Sequence, residues 1–598
     1  QPSMTPSIPI PGWRCKLHFC YSNSMQLLVL ALAVTGLSAF AQPPADWRNI
    51  RTGAIIPDES YADQPYVVIT NDGNWLCVMT TGKGVEGQPG QHIVSMISTD
   101  KGRTWSQPVD IEPATGPEAS WVMPLKLPNG RVYVFYTYNH QNLRQVNSNN
   151  PRTARRVDTM GVYAFKYSDD NGRSWSQQRY TIPMRPMRID RENTHNGEIQ
   201  FFWGVGKPIL TAKGSAILGF AKVGRWGDPG TMIESQGCFL RCDNILTERD
   251  PSKLKWTLLP DGDDGLRAPK GPVSDEANLV ELSNGTLYTT YRTIDGYNAA
   301  AYSRDGGHTW TPPAYATYTP GGKRIKHPRA ANFVRKFSNG RYLLWFHNQG
   351  GDAALTAEWV RGAYYRNRNP GWILGGIERN GQIHWSQPEI LLYDEDPNIR
   401  ISYPDFIEDG NRFFITETQK EIARVHEIDR TLLEGIWSEP AKTVAQRGLA
   451  ASVAPMPNIS SEGFTLDFDV RFKELTPGQT LFDTRTPEGK GILLRTGDRF
   501  NLELVLSDGT HSASWQSDWG THAGTLRTGV KQHVTVIADG GPRILSFIVD
   551  GEFNDGGAVR QFGWGRYPQE LGDYNGVTRA TVGTNVSNLR LYTRPLRT

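Results

Sequence analysis

The sequence predicts an all-β fold centred on a β-propeller, and three observations predict it. A turn signature of the form Ser-x-Asp-x-Gly-x-Ser/Thr-Trp occurs at Ser98–Trp105, Ser168–Trp175 and Ser303–Trp310. A tryptophan in a Trp-Ser/Thr-x-Pro setting, or a near variant, recurs at Trp105, Trp175, Trp256, Trp310, Trp385 and Trp437. Each of these is preceded by a tight-turn dipeptide with an apolar strand after it, at Asp72-Gly73, Asn129-Gly130, Lys213-Gly214, Asn284-Gly285, Asn339-Gly340 and Asp409-Gly410.

The turn signature has a physical basis. The Asp side chain closes the turn onto backbone N–H groups, Gly takes the positive-φ position, and the Trp packs between neighbouring sheets. This is the Asp box, a turn between the two outer strands of a propeller blade. The turn dipeptides mark inner hairpins, so six four-stranded blades are visible between residues 60 and 440, each stacking on its neighbours to bury its faces. A seventh blade, assembled from segments near the two ends, would close the ring, although its Trp cannot be located.

The flanking segments differ. Met25 opens the apolar run Leu27–Val34, followed by Ala39-Phe40-Ala41, a small-x-small cleavage pattern. Residues 1–41 are therefore expected to be upstream residues and a signal peptide, giving a secreted protein that starts near Gln42. The run is too short for a membrane anchor. After about residue 448 the pattern shifts to alternating strands, at Phe464–Phe472, Leu502–Leu506 and Val534–Ile537. These predict a β-sandwich of laminin-G or concanavalin type over 448–598, following a propeller over 42–447. That module either binds carbohydrate or is a structural appendage of the propeller.

Composition bounds the partners. A 598-residue chain with 21% charged residues and a formal net charge of +3 carries no nucleic-acid signature. No membrane association is expected, and the chain is expected to be a monomer. Once the leader is removed, Cys77, Cys238 and Cys242 remain; two cysteines on one strand is the simpler reading of the last two. Asn284, Asn458 and Asn585 head glycosylation sequons. No cofactor is required; a Ca2+ held by converging carbonyls in the channel is the one ion to consider, though no loop has calcium-ligand spacing.

The blade phase predicts which side chains share the functional mouth, where the loops joining strands 2 and 3 meet those joining successive blades. The loop Thr80–Gln91 delivers His92 to the top of its strand. Later blades supply Asn139 and His140, Arg225 and Trp226, Arg292 and Tyr297, then His347, Asn348 and Glu417. The connections between blades add Glu118, Glu276, Arg329 and Tyr403. Arginine forks, aromatic rings and amides together suit a saccharide carrying a carboxylate. His92, after a Gly-rich loop, is the first candidate for proton transfer. His347 ends an apolar strand and reads equally as a buried structural histidine.

Several stretches carry a family resemblance. They are Ile55–Glu59, Tyr61–Tyr66, Trp75–Gly82, Glu86–His92, Gly116–Glu118, Pro328–Ala330, Phe346–Asn348 and Ile401–Asp405. The chain resembles the secreted propeller enzymes that act on rhamnose-α-1,4-glucuronate linkages, nearest to the L-rhamnose-α-1,4-D-glucuronate lyases and more distantly to ulvan lyases. The resemblance implies seven blades, a catalytic histidine at His92, and release of terminal rhamnose from an acidic plant polysaccharide of the gum arabic type. A β-elimination needs the C5 proton removed while the uronate charge is neutralised. In that scheme His92 is the base, Arg292 or Arg329 neutralises the carboxylate, and Tyr163 is a second proton donor. Asn139, His140, Arg225, His347, Asn348 and Tyr403 would bind substrate.

Three alternatives stand beside the lyase. One is a paired-carboxylate hydrolase using Glu118 and Glu276; another is a non-catalytic carbohydrate-binding propeller. The third is an exo-sialidase, a class that shares an Arg-Ile-Pro motif near the first strand, an arginine triad and a Tyr-Glu nucleophile pair. The stretch matched to that motif, Gly53–Pro57, has no arginine.

Overall fold

The computed structural model describes residues 46–145, 156–227, 231–356, 366–438, 449–450, 456–460 and 462–597. The expected leader over residues 1–41 lies outside them. Among the described residues no helix is long and apolar enough to cross a membrane.

Six antiparallel sheets form a β-propeller. Blade 1 comprises Tyr61–Ile69, Trp75–Gly82, His92–Ser98 and Val109–Glu112; blade 2 comprises Ala119–Lys126, Val132–Tyr138, Val162–Ser168 and Tyr180–Ile182. Blade 3 runs from Phe201–Trp203 through Ala216–Gly227 and Thr231–Cys242 to Trp256–Leu259. Blade 4 holds Asp275–Glu281, Leu287–Arg292, Ala299–Ser303 and Ala314–Tyr315; blade 5 holds Phe333–Lys336, Tyr342–Phe346, Gly371–Arg379 and Gln382–Trp385. Blade 6 has Ser402–Asp409, Arg412–Thr418 and Ala423–Ile428, and its outer strand is the N-terminal segment Ala54–Ile56, with Ala54 opposite Val425.

This closure corrects the expected blade number. The N-terminal strand completes blade 6 and supplies no seventh sheet, so the described residues contain six blades. The tryptophans agree. Trp175 donates from Nε1 to Ser95 of blade 1 at 2.9 Å, Trp256 packs 5.4 Å from Phe135 of blade 2, and Trp310 stacks 4.6 Å from Phe239 of blade 3. Trp385 lies 6.4 Å from Tyr288 of blade 4, and Trp437 donates to the Tyr342 carbonyl of blade 5 at 2.7 Å. Trp105 packs on the cluster that blade 1 shares with Phe414 and Val425 of blade 6. Each ring thus bridges to the blade before it, and the sixth such step returns to the first.

The Asp boxes form the turns expected of them. The Asp100 carboxylate accepts from the Thr104 N–H at 2.9 Å, and Ser98 Oγ accepts from the Gly102 N–H at 2.8 Å, with Gly102 at φ +79°. Asp170 and Asp305 repeat the pattern on Ser174 and Thr309. These turns and the inner hairpin turns lie at one end of the blades; the loops joining strands 2 and 3 lie at the other.

Downstream of the propeller, a seven-stranded and a five-stranded sheet face one another. Their shared core includes Phe464, Leu466, Phe468, Val534, Val536 and Phe547 from the first and Ile492, Leu494, Leu502 and Leu504 from the second. Ile544, Phe553 and Trp564 of this unit join the core of blades 4 and 5 around Trp372. Polar contacts fix the junction. Trp564 Nε1 donates to the Asn348 carbonyl at 2.6 Å, Lys326 Nζ donates to the Asp555 and Arg560 carbonyls at 2.7 and 2.8 Å, and Arg48 forks onto Asp539 at 2.6 and 2.9 Å. Cys238 and Cys242 are buried free thiols on one strand.

Candidate functional site

The site is built by one backbone device used four times. The innermost strands of blades 1, 2, 4 and 6 each break register for two residues: between Asp63 and Tyr66, Ser120 and Met123, Asp275 and Asn278, and Ser402 and Asp405. The first residue of each bulge has positive φ, at Gln64 (59°), Trp121 (64°), Glu276 (54°) and Tyr403 (49°). None is glycine, so each position carries backbone strain of the kind that accumulates at functional sites. A bulge re-aims its side chain, and here all four occupy the same level at the loop end of their strands.

Two of these side chains meet. Tyr403 Oη donates to Glu276 Oε1 at 2.9 Å, and Arg292 Nη1 lies 2.8 Å from the same oxygen. Arg292 Nε also reaches Asp275 Oδ1 at 2.5 Å, while Arg329 Nη2 takes Asp275 Oδ2 at 3.1 Å. Arg368 donates to Ser402 Oγ at 3.1 Å and to the Arg329 carbonyl at 2.9 Å. Three arginines and a tyrosine–carboxylate pair therefore share one buried cluster. Burial raises the Tyr403 phenol, and the neighbouring Glu276 adds to it; burial also raises the Glu276 carboxyl, against the pull of Arg292.

A second group adjoins it. Lys420 Nζ is 2.5 Å from Asp63 Oδ2 and 3.3 Å from Glu86, and sits 4.3 Å from the centre of the Tyr403 ring. Tyr61 Oη donates to Asp63 at 2.7 Å. Burial works to raise the Glu86 carboxyl, but Lys420 and Arg156 outweigh it and hold it at about 2. Burial also raises the Asp63 carboxyl, which Lys420 offsets only in part. At 0% exposure Asp63 is within the propeller, next to Gln64 and Pro65.

Of the residues proposed from sequence, Glu276, Arg292, Arg329 and Tyr403 come together here. The others lie elsewhere. His92 is buried at the start of a third strand, with Nε2 3.2 Å from Glu59 and Nδ1 3.2 Å from both the Glu112 carbonyl and Asp110. Tyr163 is 1% exposed, stacked 5.4 Å from Phe202 and edge-on to Phe220 at 5.6 Å. Neither touches the tyrosine–carboxylate cluster. Asn139 staples its own loop, donating to Glu118 at 3.1 Å and to the Leu143 carbonyl at 2.9 Å; Glu118 also pairs with Arg144. His140 is exposed on that loop, and Arg225 forms a surface pair with Glu234. His347 and Asn348 are buried beneath the C-terminal sheets, and burial holds the His347 imidazole neutral.

Asp63, Gln64, Arg368 and Lys420 were missed from sequence, for identifiable reasons. Pro57 drew the motif comparison to the wrong segment: Ala54–Ile56 is an outer strand, and the proline of the first inner strand is Pro65. The residue two before it is Asp63, so this position too lacks an arginine. One signal was available. Gln64-Pro65 and Tyr403-Pro404 both place proline inside an inner strand, where it fits only at a bulge.

The fold is a β-propeller with a buried, arginine-rich polar site at one mouth. Residues 119–415 match the BNR repeat-like domain. The chain is similar to an anhydrosialidase of Macrobdella decora, 28% identical over 164 residues; the match covers 25% of this chain and spans 16% of that protein. Among solved structures it is similar to a Dyadobacter fermentans protein of unknown function (18% identity, TM-score 0.42, covering 63% of this chain and 98% of that one). It is likewise similar to Trypanosoma rangeli sialidase (13% identity, TM-score 0.43, covering 90% and 92%). Among the described residues no group of three His, Cys, Asp or Glu side chains is placed to hold a metal ion.

Proposed function

We propose that this chain is a carbohydrate-active enzyme, a retaining glycoside hydrolase that cleaves the bond to an acidic sugar at the propeller mouth. One observation carries the reading: Tyr403 Oη is hydrogen-bonded to Glu276 Oε1 at 2.9 Å beneath Arg292. A tyrosine serves as nucleophile where a carboxylate beside the reacting carbon would repel an anionic one. Tyr403 Oη bonds to the anomeric carbon as the glycosidic C–O bond breaks and the leaving oxygen is protonated; Glu276 takes the phenol proton, which spares the site a free phenolate, and later returns it as water displaces the tyrosyl oxygen. Arg292 steadies the carboxylate before transfer, and Arg329 and Arg368 supply further positive charge for the substrate acid. The BNR match and the anhydrosialidase segment support a carbohydrate substrate. Asp63, standing where an arginine triad would begin, argues for an acid other than the one that triad serves. The N-terminal apolar run supports export, so the enzyme is proposed to act outside the cell on acidic polysaccharide.

The β-elimination of rhamnosyl-glucuronate is supported by the sequence resemblance; the cluster at the mouth does not include its His92 and Tyr163. One experiment separates the readings. The protein is incubated with a sialoglycan and with gum arabic, following new reducing ends at acidic sugars, released sialic acid, released rhamnose and ultraviolet absorbance from an unsaturated uronate. Hydrolysis without new absorbance, abolished in Tyr403→Phe, is the expected result. Rhamnose released together with the absorbance would overturn hydrolysis in favour of the lyase.

A further inference from the structure

The four bulges carry a further consequence. Glu276 and Tyr403 show where side chains in this conformation go, because they meet at 2.9 Å across blades 4 and 6. Gln64 has the same place in its bulge and nearly the same φ, so it is presented at the same level from blade 1. It is 0% exposed, and neither its amide oxygen nor its amide nitrogen has a hydrogen-bond partner. Buried amides nearly always have partners. An amide that has lost water and gained nothing in return destabilises the fold unless something else binds there.

Two further acceptors on these bulges show what would bind. Asp63 Oδ1 and Glu276 Oε2 are also buried without partners. With Gln64 they offer one two-hydrogen donor and three acceptors, all on adjacent or equivalent bulge positions. That set suits neutral groups that both donate and accept, such as sugar hydroxyls, and is ill matched to a carboxylate, which only accepts.

We propose that Gln64 is a specificity-determining residue that reads hydroxyl groups of the acidic sugar, while the arginines hold its carboxylate. This rests on the hydrolase reading above and names the residue that selects within that substrate class. Replacing Gln64 by a hydrophobe of similar size removes two orphaned polar groups, so the free protein gains stability as it loses ligand. A residue with a merely structural role would lose both.

The test uses Gln64→Leu in the full chain, with D-glucuronate and N-acetylneuraminate as probes in titration calorimetry and thermal unfolding of the ligand-free protein alongside. Expected are tenfold or weaker binding of whichever acid the wild type prefers, equivalent to about 1.4 kcal/mol, and an unfolding midpoint no lower than wild type. Gln64→Met, which keeps the chain length, gives the same result should the leucine variant misfold. Wild-type affinity in Gln64→Leu, or a fall in its midpoint parallel to the affinity loss, overturns the assignment. Tyr403→Phe is measured beside it. If that variant binds but does not turn over while Gln64→Leu binds normally, the assignment of Gln64 fails and the hydrolase reading stands. If wild type binds neither acid, both fail together.

Discussion

Replacing Lys420 by methionine removes the one cation paired with Asp63 among the described residues, and the size of the effect follows from the surroundings. Asp63 is fully buried, and the Lys420 side chain is only 15% exposed. Breaking a buried ion pair by deleting one partner typically costs about 3–5 kcal/mol, because the other charge is left uncompensated. Glu86 keeps Arg156 as a partner, and the Tyr61 hydroxyl still donates to Asp63, so the lower end, about 3 kcal/mol, is expected at pH 7. The sign of the pH dependence is fixed. Burial already raises the Asp63 carboxyl in the folded protein, and losing Lys420 raises it further. A carboxyl raised above its unfolded value binds its proton more tightly when folded. The deficit relative to wild type therefore shrinks as pH falls, because protonation removes the stranded charge, and grows as pH rises. Urea denaturation of wild type and Lys420→Met between pH 4 and 7 measures it, with Asp63→Asn/Lys420→Met as the partner experiment. The double variant, which removes the stranded charge, is expected to recover most of the loss. A deficit below about 1 kcal/mol at pH 7, one that does not change with pH, or a double variant no more stable than the single would refute the reasoning.

Three further outcomes follow from the same geometry. Tyr403→Phe is expected to lower kcat by about 10^3-fold or more, as loss of a nucleophile does, with stability lower by no more than about 2 kcal/mol for one hydrogen bond to a charged group; kcat within tenfold of wild type would remove Tyr403 from catalysis. His92→Ala is expected to keep kcat within about threefold, because its contacts are Glu59, Asp110 and the Glu112 carbonyl; abolished turnover in a folded variant would restore the histidine to the mechanism. Burial holds the His327 imidazole down to about 3, with Nε2 donating to the Ala330 carbonyl. Unfolded His327 protonates near its ordinary value while the folded residue does not, so stability falls as pH drops from about 6.5 towards 3. His327→Gln is expected to flatten that fall by one proton, and an unchanged slope would exclude the residue as its source.

How far the sequence could be read differs between fold and site. Asp boxes and turn dipeptides carry local signals, since each needs a particular φ or side-chain acceptor within eight residues, and they set the phase of all six blades. That phase brought Glu276, Arg292, Arg329 and Tyr403 to the same mouth. It could not place the bulges at Trp121 and Glu276, where no Gly or Pro marks the positive φ and only packing around the ring imposes it. Lys420 and Arg368 were equally hidden, because their roles depend on partners from other blades. His92 illustrates the opposite error: a Gly-rich loop beside a strand end looks functional locally, yet the third strand sets the ring among Glu59, Asp110 and the Glu112 carbonyl.

The pairing of Ala54–Ile56 with Ala423–Ile428 governs how this molecule is made. During synthesis the first strand leaves the ribosome long before its partner exists, so it waits unpaired while five blades and most of the sixth are translated. Such long-range pairing makes ring closure a late and slow event. Until then blades 1 and 6 each present an open flank, and Lys420 has no Asp63 to meet. Any chain truncated before residue 423 would therefore lack a closed ring and an assembled mouth.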